Sequence, residues 1–417
     1  WGTGAFSKHR SNWILPELPA LPLWGCGKPY GTCSGIHSPC ITDCTYCIIM
    51  IISTSGNGSL TKSLISTSLS RKGNSMNIVI TGGAGFIGCN AAAYYLAKKA
   101  DVIVFDNLSR ANTDKNLAWL KTLGGNLTYI KGDLRSIADT AKLISFLADA
   151  DAVLHLAAQV AVTTSVINPR EDFEINAVGT FNLLEAMRAS ESRAKLIYSS
   201  TNKVYGGMED VAVEEKDTRY DYANLPYGVS EDRQLDFHSP YGCSKGAADQ
   251  YVHDYGRIYG LDTVVMRQSC IYGPRQFGVE DQGWVAWFII ATALGHKLAI
   301  YGDGKQVRDL LYVDDLIAAY DMAILAGKKT RGGMYNIGGG PNNTLSVWHE
   351  FGPMLEKLFG KKIPVTHEDW RPGDQKIFVA DIRKAKKEFG WEPRVSVEAG
   401  IEKLYMWVSA NKTLFRS

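Results

Sequence analysis

MNIVITGGAGFIG, spanning Met76 to Gly88, is an apolar run that turns at once into glycines. Asn77 to Thr81 has the composition of a buried parallel strand, glycines follow at 82, 83, 85 and 88, and an apolar helical pattern continues through Leu96. The order is strand, turn, helix. A chain that leaves a strand to present a helix N-terminus to an anionic pyrophosphate needs residues without side chains where backbone meets phosphate. The helix then offers unpaired N–H groups and a positive dipole end. Gly82, Gly85 and Gly88 meet those demands, with an ordinary tight turn as the plain alternative.

Working outward, Asp106 closes the next apolar run, DVIVFD. A carboxylate there accepts both hydroxyls of an adenosine ribose and repels a 2′-phosphate, which favours NAD over NADP. The competing reading is a cap on the turn DNLSR, and Arg110 leaves some room for a phosphate. Further apolar runs at Val102 to Phe105, Leu127 to Ile130, Ala152 to His155 and Lys195 to Ser199 alternate with helical stretches. That rhythm predicts an α/β fold, a doubly wound parallel sheet of the Rossmann kind with ligands beyond the carboxyl ends of its strands. Asp133, after the third strand, suits either the adenine amino group or a helix N-cap. After the fourth strand comes HLAAQ, whose Ala157 and Ala158 let a cofactor lie against backbone, while His155 reads as core.

Hydroxyls crowd the end of the fifth strand in SSTNKVYG, Ser199 to Gly206, and SPYGCSK follows at Ser239 to Lys245. Pro240 opens a helix running to Tyr259, and Tyr241 and Lys245 share one face of it. A tyrosine is a poor base at its usual pKa of about 10, but a lysine ammonium and an oxidised nicotinamide both stabilise the phenolate. Tyr241 is then suited to remove a proton from a sugar hydroxyl as hydride leaves the carbon, Thr201 to hold that hydroxyl and Lys245 also to bind the nicotinamide ribose, against the plain reading that Y-x3-K is a spacing frequent in any helix.

TGGAGFIG, HLAAQ, SSTNKVYG, YGCSK and YGDGKQVRDLLYVDD together resemble the extended short-chain dehydrogenase/reductase family, from Met76 to Ser417. Within it, STNKVYG, EDRQLDFHSPYGCSKGAADQYVHDYGRIYGL and RQSCIYGPRQFG resemble the CDP-paratose 2-epimerase, or CDP-tyvelose epimerase, branch. The resemblance implies a tightly held NAD touching Gly82, Gly85, Phe86, Ile87, Gly88, Asp106, Asn107, Asp133, Leu134, Leu156, Ala157, Ala158, Ser199, Tyr241 and Lys245. It implies the catalytic set Thr201, Tyr241 and Lys245, and a nucleotide-diphosphate sugar held by Thr201, Arg308 and Arg371. The implied reaction inverts C2 through a transient 2-keto sugar with no net redox change. Sugar-nucleotide 4,6-dehydratases of this family carry acids directly after the catalytic threonine. Asn202 and Lys203 stand there instead, which disfavours elimination.

Past Arg267 the rhythm gives way to aromatic and glycine-rich turns, as a smaller lobe over the sheet requires. Arg308 in DGKQVRD and Arg371 in WRPGD look like the family's diphosphate clamps, against a reading in which each pairs with a nearby aspartate. Asp314 and Asp315 charge the start of a helix through Ala326, and no metal is expected. Trp284 and Trp287, three positions apart on a helix, either pack in the core or line the sugar pocket. The resemblance also implies a homodimer, built on the Tyr241 helix and a helix from Asp172 to Arg188.

The expected organisation is an N-terminal extension over 1–75, a Rossmann domain over 76–266 and a nucleotide-sugar lobe over 267–417 partly interwoven with it. Across the 417 residues, 45 basic and 43 acidic side chains are interspersed, which points away from nucleic acid. No apolar run approaches the ~20 residues of a membrane helix. Cys26, Cys33, Cys40, Cys44 and Cys47 crowd the extension, and C-x3-C-x2-C there looks like the iron–sulfur set of radical S-adenosylmethionine enzymes. No barrel-length sequence separates it from Met76, so the extension is expected to be disordered upstream sequence. Cys89, Cys243 and Cys270 alone remain beyond it, as in a cytoplasmic protein. Two other functions stay open: a 4-epimerase of another nucleotide sugar such as UDP-glucose, and a non-catalytic NAD-binding regulator.

Overall fold

Seven parallel strands carry the fold: β1 (Asn77–Thr81), β2 (Asp101–Asp106), β3 (Asn126–Lys131), β4 (Ala152–His155), β5 (Lys195–Thr201), β6 (Asp262–Gln268) and β7 (Gly333–Ile337). They lie in the order β7-β6-β5-β4-β1-β2-β3. The computed structural model describes residues 75–371 and 373–415. The expectations for the extension, its five cysteines included, lie outside the described residues save at Ser75, whose hydroxyl donates to Asp101 (2.8 Å) and so is tied to the sheet.

Successive side chains of a strand face opposite ways, and helices cover both faces here, which is why the strands read as continuous apolar runs. Ile78 and Ile80 of β1 join Val102 and Val104 of β2 in one core with Tyr95, Leu316 and Tyr320. Val79, Ile103 and Phe105 face the other core with Val153, Leu183 and Val252. A third core gathers the helices Trp284–Leu294 and Val397–Ala410 around the strand Leu298–Tyr301. The chain past Arg267 does not stay in that lobe. It returns to pair β7 with β6, and the helix Val313–Leu325 packs into the first core.

The helix expected from Asp172 to Arg188 begins earlier and is not uniform. Pro169–Phe173 is α-helical, Glu174–Val178 makes a π turn, and Gly179–Ala189 resumes the α-helix. Side-chain spacing on the sequence carries no signal for the extra residue of a π turn. The polar bonds of Asn176 within it do: its amide donates to Asp172 (3.2 Å) and Ser244 (3.0 Å) and its oxygen accepts from the Gln159 N–H (2.9 Å).

Candidate active site

The glycine turn fits a dinucleotide. Gly82 has φ +69°, and a Cβ there would stand 2.6 Å from the Ala157 nitrogen; a Cβ on Gly88 would stand 2.2 Å from the Gly82 oxygen. Those two glycines close the turn and seat the helix Phe86–Ala97 on β1. Gly85 differs, because a Cβ on it would meet only the Gly82 oxygen, at 3.1 Å. Its outer side is open, and as N-cap it contributes no side-chain hydrogen bond to a helix whose first turn holds no acid. The end is thus bare and electropositive, the condition for an incoming phosphate.

At the end of β2 the Asp106 carboxylate is buried, and the N–H groups of Ala84 (3.0 Å) and Leu108 (2.8 Å) donate to it. Burial holds its pKa above the usual carboxylate value, and those donors offset this only in part. Asn107 donates to Asp133 (3.0 Å), and Arg135 chelates the same carboxylate, holding its pKa down at about 2. Asp133 is not an N-cap: the cap of the following helix Ile137–Ala141 is Ser136, three residues on. Leu134 is buried beneath this end of the sheet.

Beyond the strand ends runs a cavity of about 430 Å³. Phe86, Ile87, Leu156 and Ala158 line one part of it, Ser199, Thr201, Tyr241 and Lys245 its centre, and Arg308 and Arg371 the far wall. The glycines, Asp106, Asn107, Asp133, Leu134 and Ala157 lie outside this cavity, along the same edge of the sheet.

Thr201 ends β5 and caps the short turn Asn202–Tyr205 by accepting the Lys203 N–H (3.2 Å). Tyr241 enters from the helix Ser239–Ile258, whose first turn holds Pro240, and its backbone N–H donates to Ser165 (3.1 Å). Its phenol and Thr201 both line the cavity, and Thr201 is near enough to lower the phenol's pKa. The expected depression of its pKa is not present in the chain by itself: burial pushes the phenol up to about 12, and Thr201 only partly opposes this. Lys245 Nζ donates to the Ser199 carbonyl (2.6 Å) and lies 4.3 Å from the Tyr198 ring centre. Burial brings its pKa down to about 7 against the pull of Asp249 and Asp172. His155 sits between the hydroxyls of Thr81 (2.7 Å) and Thr180 (2.9 Å), its pKa lowered to about 3 by burial, so it is a neutral core residue.

Both arginines of the far wall face the cavity while paired. Arg308 donates to Asp374 (2.6 Å); Arg371 lies 3.2 Å from Asp281 and stacks 3.8 Å over the Tyr301 ring centre. Trp284 both lines the cavity and packs on Phe351, donating to the Cys270 sulfur (3.0 Å), whereas Trp287 belongs to the third core. Asp315 accepts the N–H groups of Arg394 (3.0 Å) and Val395 (2.8 Å). Among the described residues no group of three or more His, Cys, Asp or Glu side chains could hold a metal ion. Asp374, Glu280, Asp281 and Gln306 also line the wall and carry no signal in the sequence, since irregular loops have no period.

The GDP-mannose 4,6 dehydratase family profile matches residues 79–404. The chain belongs to that family. With it the chain joins the extended short-chain dehydrogenases/reductases and is an enzyme of their epimerase type. CDP-paratose 2-epimerase of Salmonella typhi is 48% identical over 340 residues, covering 80% of this chain and 100% of that one. A solved UDP-glucose 4-epimerase of Thermotoga maritima, with UDP-glucose, superposes with TM-score 0.68 at 31% identity over 81% of this chain and 100% of its own. A double mutant of dTDP-glucose 4,6-dehydratase from Streptomyces venezuelae, with NAD bound, gives TM-score 0.70 at 29% identity, covering 82% and 99%.

Proposed function

We propose that the chain is an NAD-dependent epimerase that inverts C2 of CDP-paratose to give CDP-tyvelose. The observation that carries epimerisation over dehydration is the pair Asn202 and Lys203: both line the cavity directly after Thr201, and neither is a carboxylic acid. The end-to-end identity with a CDP-paratose 2-epimerase supports the choice of sugar and base.

NAD, when bound, would take a hydride from a carbinol carbon and return one to the resulting carbonyl. The chain's own residues do the rest. The glycine turn and Asp106 would hold the dinucleotide at its pyrophosphate and ribose, and Ser199 and Lys245 would meet its nicotinamide end. Thr201 fixes the reacting hydroxyl, the Tyr241 oxygen takes its proton and later gives one back, and the Lys245 ammonium stabilises the phenolate. Arg308 and Arg371 grip the diphosphate, so the sugar turns about a fixed anchor. Phe86, Ile87 and Leu156 keep water from the reacting face.

In D2O, incubation with CDP-paratose inverts C2 without solvent deuterium at that carbon, followed by NMR and mass spectrometry. Deuterium at C2 would mean proton abstraction and end this mechanism. The second reading, a 4-epimerase, is favoured by the structural likeness to a UDP-glucose 4-epimerase. Inversion of UDP-glucose at C4, with CDP-paratose untouched, would establish it instead.

The active form is a homodimer. Phe181, Tyr251 and Tyr259 are exposed aromatics on the helices Gly179–Ala189 and Ser239–Ile258 and at the end of the latter, with Phe173 and Ile258 beside them. Light scattering returns twice the chain mass, and Phe181→Asp shifts it toward one; a monomeric mass for the unaltered chain contradicts the dimer. A reducing, cytoplasmic setting suits Cys89, Cys243 and Cys270, all free thiols. No helix among the described residues is long and apolar enough to cross a membrane.

A further inference from the structure

Lys203 stands two residues past Thr201, and its N–H donates to the Thr201 hydroxyl (3.2 Å), so its side chain leaves the same turn that presents the catalytic hydroxyl. That side chain lines the cavity with Arg308, Arg371 and Asp374. The carboxylates of the wall already have partners. Asp374 takes Arg308 at 2.6 Å, Asp281 takes Arg371 at 3.2 Å, and Glu280 accepts the Tyr301 hydroxyl at 3.0 Å. The hydrogen bond of the Lys203 ammonium goes to a backbone carbonyl, that of Gly373, at 3.4 Å. Burial, and then the neighbouring Arg308, push its pKa down to about 8, against a weaker opposing pull from Asp374 and Cys270. A cation so placed is short of negative charge, and a diphosphate supplies it.

We propose that Lys203 is a third cation of the diphosphate site and ties the sugar-bearing phosphate to the catalytic strand. The inference rests on the nucleotide-sugar reading above. Arg308 comes from the strand Val307–Asp309 and Arg371 from a later loop, so neither shares a turn of backbone with Thr201, as Lys203 does. Its ammonium also suits the turning of the sugar. A guanidinium fork prescribes the orientation of the oxygens it binds, whereas a compact point charge holds a phosphate through a rotation.

The test titrates the full chain, and its Lys203→Met and Lys203→Arg variants, with CDP, UDP, GDP and dTDP and with the matching monophosphates. Lys203→Met is expected to weaken the tightest-bound diphosphate by about ten- to a hundredfold, the range for a lost hydrogen bond to a charged group. The monophosphate, which lacks the sugar-bearing phosphate, weakens far less, and Lys203→Arg recovers most of the diphosphate affinity. Thermal melts confirm that both variants fold. Unchanged diphosphate affinity in Lys203→Met overturns the inference, as does equal weakening of mono- and diphosphate. Should UDP bind more tightly than CDP, the cytidine reading falls, while the Lys203→Met loss read on UDP still decides the role of Lys203. Should the unaltered chain bind none of the four diphosphates, the inference falls with the reading beneath it.

Discussion

Tyr241→Phe lowers kcat by about 10²- to 10⁴-fold, the span that a positioned proton-transfer group contributes. The ring is nine-tenths buried, so phenylalanine keeps its packing and loses only the hydroxyl beside Thr201. Stability and bound NAD are therefore expected to stay close to those of the unaltered chain. The base is not preformed. With its pKa up at about 12, the phenol is protonated at neutral pH, and burial with the nearby Asp172 opposes the phenolate. Two positive charges can reverse that balance, the Lys245 ammonium and the oxidised nicotinamide, and they are present together only in the loaded enzyme. Burial lowers the pKa of Lys245 as well, to about 7 in the chain by itself. Lys245→Met should therefore abolish turnover even where NAD stays bound. Stopped-flow measurement of the reduced nicotinamide absorbance gives the decisive reading. Unchanged turnover in Tyr241→Phe would remove Tyr241 from the mechanism.

Much of this site was legible because it obeys local rules. The glycines at 82 and 88 report a backbone approach that side chains would block, Gly85 leaves the outer side of the turn open, and Asp106 reports the end of a strand. Pro240, Tyr241 and Lys245 are set by the pitch of one helix. The far wall is different. Arg308 meets Asp374 and Arg371 meets Asp281 through loops distant in sequence, so no spacing announces either pair. The two arginines line the cavity and are each paired with an aspartate, so the pairing expected as the plain alternative is present beside the cavity-facing placement. The burial that raises the pKa of Tyr241 in the chain by itself has no sequence signal, since a motif names the charges that come near a phenol and says nothing of how deeply the fold buries it. The π turn at Glu174–Val178 is likewise silent in the sequence, because one extra residue leaves an apolar pattern nearly intact.

Asp249→Asn is expected to cost about 3–5 kcal/mol of stability, because it strips the counter-charge from a buried guanidinium. Asp249 is fully buried one turn beyond Lys245, and Arg267 of β6 donates to it through Nε and Nη2, both at 3.1 Å. Ser200 adds a bond of 2.6 Å from β5, and Arg267 reaches on to the Tyr205 hydroxyl at 3.2 Å. The network thus joins two strands to the catalytic helix. At about 2.1 cal/mol/K of unfolding entropy per residue, a loss of that size in a domain this large lowers Tm by about 4–7 °C. The same carboxylate raises the pKa of Lys245 against burial, so its removal moves that pKa further below about 7. The sign follows directly: the ammonium is kept only at lower pH, and activity lost at neutrality should partly return on acidification. The double variant Asp249→Leu with Arg267→Met separates the two roles. Replacing a buried ion pair by apolar side chains of similar volume is often neutral or stabilising, so the melting temperature should recover. The support for Lys245 does not return with it, and turnover at pH 7 stays low. Recovery of both stability and turnover would make Asp249 a packing residue alone, and an unaltered melt in Asp249→Asn would mean that the buried pair contributes nothing to the fold.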